Sequence, residues 1–305
     1  MIILIASLGP GYRVDGVPRC AECGSRFGVW RGLILQRHDL NTHFQWQETS
    51  GPYRLISDTQ AQQYDAAGYF LFENAFSADE IAAVRGAIDP LEEHYTAVLR
   101  DKLSARQRQA GADSAITAAI NRADAITFSI HLVKRAQILK DFSRHPVFQG
   151  LCHDLIGPGA RLYWDQAVYK KPGNPEDFPW HQDNGYTFTE PQQYLTCWVA
   201  LTDATTENGC PWVLPGVHLG GTLAHQMTPI GLACLSNPQG SIAVPAKAGD
   251  IVVFSSLTPH RTGPNLTDQT RRAYILQYAS DGCRIHTEAG VMEANDPDRQ
   301  FYVEP

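Results

Sequence analysis

Two imidazoles and one carboxylate are the residues of this 305-residue chain whose types and spacing could bind a metal ion. The tripeptide His181-Gln182-Asp183 supplies one of each, and His260 follows far downstream. In an extended strand, residues i and i+2 point to the same face, so His181 and Asp183 would project together. Two histidines and one carboxylate form the ligand set with which proteins hold Fe(II) while other coordination positions stay open.

The spacing of this tripeptide is a weak signal when taken alone. The chain has 11 histidines, so a His and an Asp two residues apart often arise by chance, as a turn or a hydrogen-bonded pair. His218 is a rival ligand, although a His after a Pro-Gly turn usually makes a local hydrogen bond. Whether His181, Asp183 and His260 come together therefore depends on the strands and turns that carry them.

Composition limits the kinds of partner that the chain is expected to bind. It is 43% hydrophobic and 19% charged, which is ordinary for a globular protein, and its net charge of −7 offers no basic footprint for nucleic acid or an anionic membrane. No stretch reaches the ~20 apolar residues of a membrane span. We expect a small-molecule substrate, and nothing in the sequence sets an oligomeric state.

The cysteines indicate a reducing compartment. Their number, seven, is odd and their spacing shows no dense framework, which favours free thiols in the cytoplasm. Cys20 and Cys23 form a CxxC that could serve a structural zinc or a redox pair, with ordinary thiols as the favoured interpretation. The apolar start, residues 1–8, is brief and lacks a basic region, so a signal peptide is not favoured.

The order of elements predicts the architecture. Capping boxes at Ser57–Gln60 and Ser77–Glu80 predict two helices, whereas short apolar runs separated by turn residues follow after about residue 160. This order predicts one mainly β domain over residues 51–305, a sandwich or barrel with a helical N-terminal layer. Residues 1–50 are predicted to be a poorly defined extension.

Arg271 is placed to serve the same site. It follows His260 after a stretch long enough for a turn and the start of an adjacent antiparallel strand. A guanidinium offers a planar fork of donors that grips a carboxylate beside the metal. Arg272 is the rival, because neighbouring residues of a strand face opposite ways and only one of the two can point inward.

From about residue 54 to 280, the sequence resembles the phytanoyl-CoA dioxygenase (PhyH) family of Fe(II)/2-oxoglutarate oxygenases. The landmarks that carry the resemblance are Trp180-His-Gln-Asp183, Asn208-Gly209 with Leu214-Pro-Gly-Val-His218, Gly249-Asp250, and His260 through Asn265 followed by Arg271. Taken together in this order, these motifs are specific to the family, although each motif alone is not. Val217 stands where a Ser is usual, and residues 1–50 match nothing in the family.

The resemblance implies a fold and a site. The fold is a double-stranded β-helix, a jelly-roll or cupin-like barrel, with His181, Asp183 and His260 as Fe(II) ligands. Arg271 would bind the distal carboxylate of 2-oxoglutarate, with the Thr262 hydroxyl beside it. Gln166, on the strand before the tripeptide, is a candidate for a hydrogen bond to this cosubstrate, and an exposed strand Gln is the alternative.

The implied activity is that of a dioxygenase that uses O2 and 2-oxoglutarate and releases succinate and CO2. We expect hydroxylation of a C–H bond in a small, largely apolar organic substrate. Related halogenases replace the carboxylate of Asp183 with a small residue, so halogenation is not expected. A cupin-like metalloenzyme that does not use 2-oxoglutarate, and a non-catalytic jelly roll that binds a small molecule, are the alternatives.

The substrate pocket is less well specified by the sequence. Residues that flank the ligand strand could line it or could be ordinary barrel packing. These residues are Phe128, His131, Tyr163, Trp164, Asn184 and Tyr186. Lys170-Lys171 is the one basic pair suggestive of a CoA phosphate site, and a solvated loop explains it equally well.

Overall fold

Short strands account for most of the regular structure in the computed structural model, which describes residues 27–30, 33–110, 121 and 124–304. The strands are β1 (Phe27–Trp30), β2 (Leu33–Gln36), β3 (Tyr69–Phe72), β4 (Ile126–Ile130), β5 (Ala160–Lys170), β6 (Phe178–His181), β7 (Thr189–Glu190), β8 (Leu195–Ala200), β9 (Pro211–Val213), β10 (Gln226–Thr228), β11 (Gly231–Ala233), β12 (Ile242–Ala243), β13 (Ile251–Ser255), β14 (His260–Thr262), β15 (Arg271–Ser280), β16 (Arg284–Thr287) and β17 (Gly290–Glu293). The helices are α1 (Asp58–Ala67), α2 (Ala78–Ala110), α3 (Gln137–Phe142) and α4 (Pro146–Ile156).

Two antiparallel sheets face each other and enclose an apolar interior. The major sheet has the order β3-β13-β8-β15-β5-β4, and the minor sheet has the order β12-β9-β14-β6. Val213 of the minor sheet packs in one buried cluster with Val168, Trp198, Val252 and Ala273 of the major sheet. This arrangement confirms the predicted double-stranded β-helix.

The helical layer covers the outer face of the major sheet. Along β15, Ala273 and Ile275 face the barrel interior, whereas Tyr274 and Leu276 face the helices. This alternation follows from the period of two in a strand. The helices contribute Tyr64 from α1 and further apolar side chains from α2, α3 and α4 to the same outer cluster, so the predicted helical N-terminal layer is confirmed.

Both predicted capping boxes are present at the starts of α1 and α2. The Ser57 hydroxyl accepts from the Gln60 N–H at 3.2 Å, and the Gln60 side chain accepts from the Ser57 N–H at 2.9 Å. Ser77 and Glu80 make the same reciprocal pair. Gly68 ends α1 with a φ of +82°, a conformation that an L side chain adopts only with strain.

Part of the N-terminal segment is attached to the barrel. Leu35 is buried against Trp180 and Leu214, and the Asn41 side chain donates to carbonyls of the segment that follows His218. The division at residue 50 stays a prediction, and Cys20 and Cys23 lie outside the described residues. In the described ranges, no helix combines the length and apolar character that crossing a bilayer requires.

A buried carboxylate joins α4 to the chain that enters α1. The Asp154 side chain is fully buried and accepts from the backbone N–H groups of Arg54, Leu55 and Ile56, at distances from 2.8 to 3.1 Å. Burial by itself would raise the pKa of Asp154, but these hydrogen bonds and the one from His153 together lower it below its usual value. The ionised carboxylate therefore stabilises the folded state.

We predict that Asp154→Asn lowers the free energy of unfolding at pH 7 by about 1–3 kcal/mol, because buried N–H groups lose an ionised acceptor. Since the folded pKa is depressed, the stabilisation is present above the unfolded pKa of about 3.9 and is lost as pH falls through the folded value. Urea denaturation from pH 7 to pH 3 measures this difference, with Asp141→Asn at an exposed site of α3 as the control. An equal difference at both ends of the pH range would contradict the assignment.

Candidate metal centre

Three side chains that the sequence separates meet between two neighbouring strands. His181 at the end of β6 and His260 at the start of β14 are directly paired, and their ring centroids lie 4.1 Å apart. The Asp183 Oδ1 atom lies 3.8 Å from Nε2 of His181 and 3.7 Å from Nε2 of His260. In the described part of the chain, these three form the group of His, Cys, Asp or Glu whose ligand atoms lie within 4.8 Å of one another.

The extended backbone at Gln182 brings His181 and Asp183 to the same side. Gln182 has a φ of −108° and a ψ of 143°, so the two flanking side chains project together, as the spacing predicted. The strand ends at His181 and a single 3-10 turn, Asp183–Gly185, begins at the carboxylate. The site therefore lies where a strand passes into a turn.

The other ring nitrogen of each histidine is held by the backbone. Nδ1 of His181 donates to the Pro179 carbonyl at 2.8 Å, and Nδ1 of His260 donates to the Thr258 carbonyl at 3.0 Å. Because a carbonyl only accepts, each Nδ1 carries the proton and each Nε2 directs its lone pair to the centre. Burial lowers the pKa of His181 to about 3 and of His260 to about 4, so both are neutral at pH 7.

The carboxylate is oriented by a hydroxyl. Asp183 Oδ2 accepts from Thr196 Oγ1 at 2.7 Å, which leaves Oδ1 directed at the imidazoles. Burial raises the pKa of Asp183, and a cation at the centre would favour the ionised form. Two neutral imidazoles and one carboxylate oxygen fit a divalent transition metal such as Fe(II).

His218 does not belong to this group. It is fully buried against Trp46, with ring centroids 4.5 Å apart, and Nε2 donates to the Asp65 carbonyl at 3.1 Å. His218 therefore makes a hydrogen bond and does not join the three ligand candidates, but its partner lies 153 residues away in the sequence, so the bond is long-range and not the local one that was expected.

Arg271 places a buried cation on the interior face of the major sheet. Its side chain is 1% exposed, Nη1 donates to the Val168 carbonyl at 3.3 Å, and Nε and Nη2 have no partner among the described residues. The guanidinium lies 5.3 Å from the centroid of the Trp198 ring. Burial lowers the Arg271 pKa to about 10, which leaves it charged at pH 7.

Arg272 points the other way, toward the helical layer. Its Nε lies 3.3 Å from Asp89 of α2, and its guanidinium lies over the Tyr169 ring. Of the two candidates, Arg271 is therefore the one directed into the barrel. Its unpaired donors fit an anion that enters the interior from outside the chain.

Lys170 is a second interior cation, a position that the sequence did not predict for either member of the Lys170-Lys171 pair. It is the cross-strand partner of Arg271, is completely buried, and its Nζ donates to the carbonyls of Glu176, Thr262 and Gly263. Burial lowers its pKa to about 7, and the neighbouring Arg271 contributes. Lys171 faces outward and pairs with Glu92 at 2.6 Å. The pair is therefore neither a solvated loop nor a free phosphate site.

Of the two weaker cosubstrate candidates, Thr262 contacts Lys170, whereas Gln166 lies four residues away from Lys170 along β5. Thr262 is half-buried, two residues beyond His260 on β14, and its carbonyl accepts from Lys170. Gln166 is half-buried on β5, opposite the interior-facing Ile275, and its Oε1 accepts from Trp164 Nε1 at 3.3 Å. Their contacts with a cosubstrate stay predictions.

Aromatic side chains line the approach to the three ligands. The ring centroids of Phe178 and Tyr186 lie 5.0 and 5.4 Å from that of His181, and Phe128 packs against Phe178 in a tilted arrangement with centroids 5.5 Å apart. His181 pairs with His260 and Phe178 pairs with Thr262, so β6 contains one extra residue, a β-bulge, between these two pairs. Because the bulge breaks the regular alternation of side chains, the sequence pattern did not identify Phe178 as a neighbour of His181.

Two further pocket candidates, Trp164 of β5 and His131 just after β4, contact each other, and two others belong to the packing. Trp164 contacts His131 with ring centroids 4.4 Å apart, and His131 has a φ of +55°, which is rare outside glycine. Tyr163 instead packs on Tyr194, and the fully buried Asn184 accepts from Thr189.

Comparisons with known proteins agree with this geometry. Residues 64–273 match the phytanoyl-CoA dioxygenase (PhyH) family. A phytanoyl-CoA dioxygenase of Arabidopsis thaliana is 25% identical over 281 residues, covering 82% of this chain and 98% of the relative.

Two solved structures share the fold. EvdO2 from Micromonospora carbonacea var. aurantiaca, complexed with 2-oxoglutarate, is 24% identical with a TM-score of 0.58, covering 80% of this chain and 96% of that one. EctD from S. alaskensis, with 2-oxoglutarate and 5-hydroxyectoine, is 20% identical with a TM-score of 0.59, covering 88% and 90%. With its His-Asp-His group and this family match, the chain belongs to the phytanoyl-CoA dioxygenase (PhyH) family and is a non-heme iron, 2-oxoglutarate-dependent oxygenase.

Proposed function

We propose that this enzyme hydroxylates a C–H bond of a small, largely apolar organic substrate. In this proposal His181, Asp183 and His260 hold Fe(II), and Arg271 binds the distal carboxylate of 2-oxoglutarate. The bound iron, with O2 and 2-oxoglutarate, supplies the oxidising power, and the cosubstrate leaves as succinate and CO2. The residues of the chain orient these components and keep water from the reacting centre.

The observation that best supports this assignment is the unpaired guanidinium of Arg271. Burying a cation whose Nε and Nη2 lack acceptors costs free energy, and a carboxylate that accepts from both would offset that cost. Lys170 does not compete for this role, because its Nζ donates to three backbone carbonyls. We assign Arg271 the distal carboxylate and keep Thr262 and Gln166 as supporting contacts.

The aromatic approach supports an apolar substrate. Phe178 and Tyr186 contact the His181 ring edge to face, and Phe128 packs on Phe178. Trp164 and His131 form a second aromatic contact. One relative is named for phytanoyl-CoA, and one similar structure contains 5-hydroxyectoine, so these chemically different compounds do not select the substrate. Because Lys170 and Lys171 are both engaged, we do not assign a CoA ester.

The proposal also includes the cellular compartment and the kind of molecule that the enzyme binds. The cysteines of the described ranges are free thiols, four of them buried, which supports the cytoplasm as the compartment. The net charge of −7 supports a small molecule as the partner in preference to nucleic acid or an anionic membrane.

The proposed function is tested by supplying Fe(II), 2-oxoglutarate and O2 with a library of small apolar compounds, and measuring succinate and oxidised products by mass spectrometry. We expect slow succinate formation without substrate, and faster formation together with a product one oxygen atom heavier when a substrate is present. Asp183→Ala and His260→Ala should abolish both while circular dichroism stays that of a folded protein. Succinate formation that persists in Asp183→Ala at the wild-type rate would contradict the ligand assignment.

The two adjacent arginines provide a matched test of the cosubstrate assignment. Arg271→Lys keeps the charge but loses the planar fork, so we expect the Kd for 2-oxoglutarate to rise at least ~10-fold. Arg272→Lys, one residue along on the opposite face, should leave it unchanged. Anaerobic titration of the Mn(II)-loaded protein, followed by tryptophan fluorescence with Trp198 as the adjacent reporter, measures both constants. Equal effects of the two substitutions would argue against Arg271 as the anchor.

A further inference from the structure

A third histidine, His225, contacts the backbone between His181 and Asp183. The Gln182 N–H donates to Nε2 of His225 at 2.9 Å, across a sequence separation of 43 residues. At the other side of the ring, His225 Nδ1 lies 2.9 Å from the Leu223 carbonyl. Because that carbonyl accepts, Nδ1 carries the proton and Nε2 is the acceptor. The tautomer of His225 is therefore set by the two backbone groups that it joins.

The Gln182 side chain is held by hydrogen bonds, two of them to the segment just before His225. It is fully buried, its Oε1 accepts from the Leu223 N–H at 2.6 Å, and its Nε2 donates to the carbonyls of Gly221 at 3.0 Å and Leu257 at 2.6 Å. The backbone N–H and both side-chain polar atoms of Gln182 are thus paired. Leu257 lies on the segment that delivers His260, so these bonds also connect the two ligand-bearing strands.

The imidazole of His225 lies directly against the turn that carries the carboxylate. A Cβ built on Gly185 would come within 2.0 to 2.3 Å of three atoms of this ring. No side chain fits between the ring and the Asp183–Gly185 turn. The ring therefore supports the turn sterically while its Nε2 holds the preceding N–H.

We propose that His225 is a positioning residue for the metal centre, which sets the directions in which His181 and Asp183 leave the backbone by accepting the Gln182 N–H. It is not itself a ligand, because both of its ring nitrogens are engaged with backbone groups. The proposal rests on the ligand roles assigned above. The alternative is a histidine that only stabilises the fold.

His145 serves as a matched control, a histidine that stabilises the fold but does not contact the metal centre. It is half-buried like His225, and its Nδ1 likewise accepts a backbone N–H, that of Val147, at 3.3 Å. Its ring packs on Phe76 in the helical layer, and its Nε2 lies 3.1 Å from Glu80. Its removal should reduce stability without reaching the three ligands.

The experiment compares His225→Phe, His225→Gln and His145→Phe in the full chain. Mn(II) affinity is measured by electron paramagnetic resonance of the free ion, ligand geometry by the visible absorption of Co(II)-loaded protein, and stability by the unfolding temperature. We expect His225→Phe to weaken Mn(II) binding by about 10–100-fold and to change the Co(II) spectrum, as loss of groups that orient ligands does. His225→Gln, whose amide oxygen reaches the position of Nε2, should restore most of the affinity. His145→Phe should lower the unfolding temperature and leave both metal readouts unchanged.

Wild-type Mn(II) affinity and an unchanged Co(II) spectrum in His225→Phe would overturn the proposal, as would an equal loss of affinity in His145→Phe. If His225→Phe does not fold, His225→Asn replaces it, since its amide is too short to reach the Gln182 N–H. Equal affinities of the Asn and Gln variants would then be the contradicting result. Absence of Mn(II) binding in the wild type, or full binding by Asp183→Ala, would instead overturn the ligand assignment itself.

Discussion

The antiparallel pairing of β6 with β14 is the constraint on which the site depends. It sets His181 opposite His260, so two imidazoles meet although about eighty residues of chain separate them. Each ring is oriented by a carbonyl two residues before it, at Pro179 and Thr258. A shift of one residue in this register would move one ring to the opposite face of the sheet. The strand pairing therefore determines whether a metal site exists.

The period of two along β15 sends the side chains of Arg271 and Arg272 to opposite faces of the major sheet. It directs Arg271 into the barrel and Arg272 toward α2, so one cation is left unpaired in the interior and the other finds Asp89. A fold that keeps an unpaired buried guanidinium gives up stability unless a ligand restores the pairing. In the proposed function, binding of the 2-oxoglutarate carboxylate and stability of the barrel are therefore linked through Arg271.

The sequence predicted the helix starts and the shared direction of His181 and Asp183, whose signals are local, and missed contacts that depend on the tertiary fold. Capping boxes marked the starts of α1 and α2. The spacing of His181 and Asp183 correctly predicted that their side chains point to the same side, because Gln182 is extended. Phe178 was missed because a β-bulge breaks the regular alternation. The burial of Lys170 and the contact of His225 were not predicted because burial and long-range pairing are consequences of the tertiary fold.

The most direct test of the account is spectroscopic. Under anaerobic conditions, Fe(II) and 2-oxoglutarate are added to the protein and the visible spectrum is searched for the weak metal-to-ligand charge-transfer band of a chelated 2-oxo acid. The account predicts this band in the wild type and its loss in Asp183→Ala and His260→Ala. Folded wild-type protein that gives no such band at saturating Fe(II) and 2-oxoglutarate would contradict it.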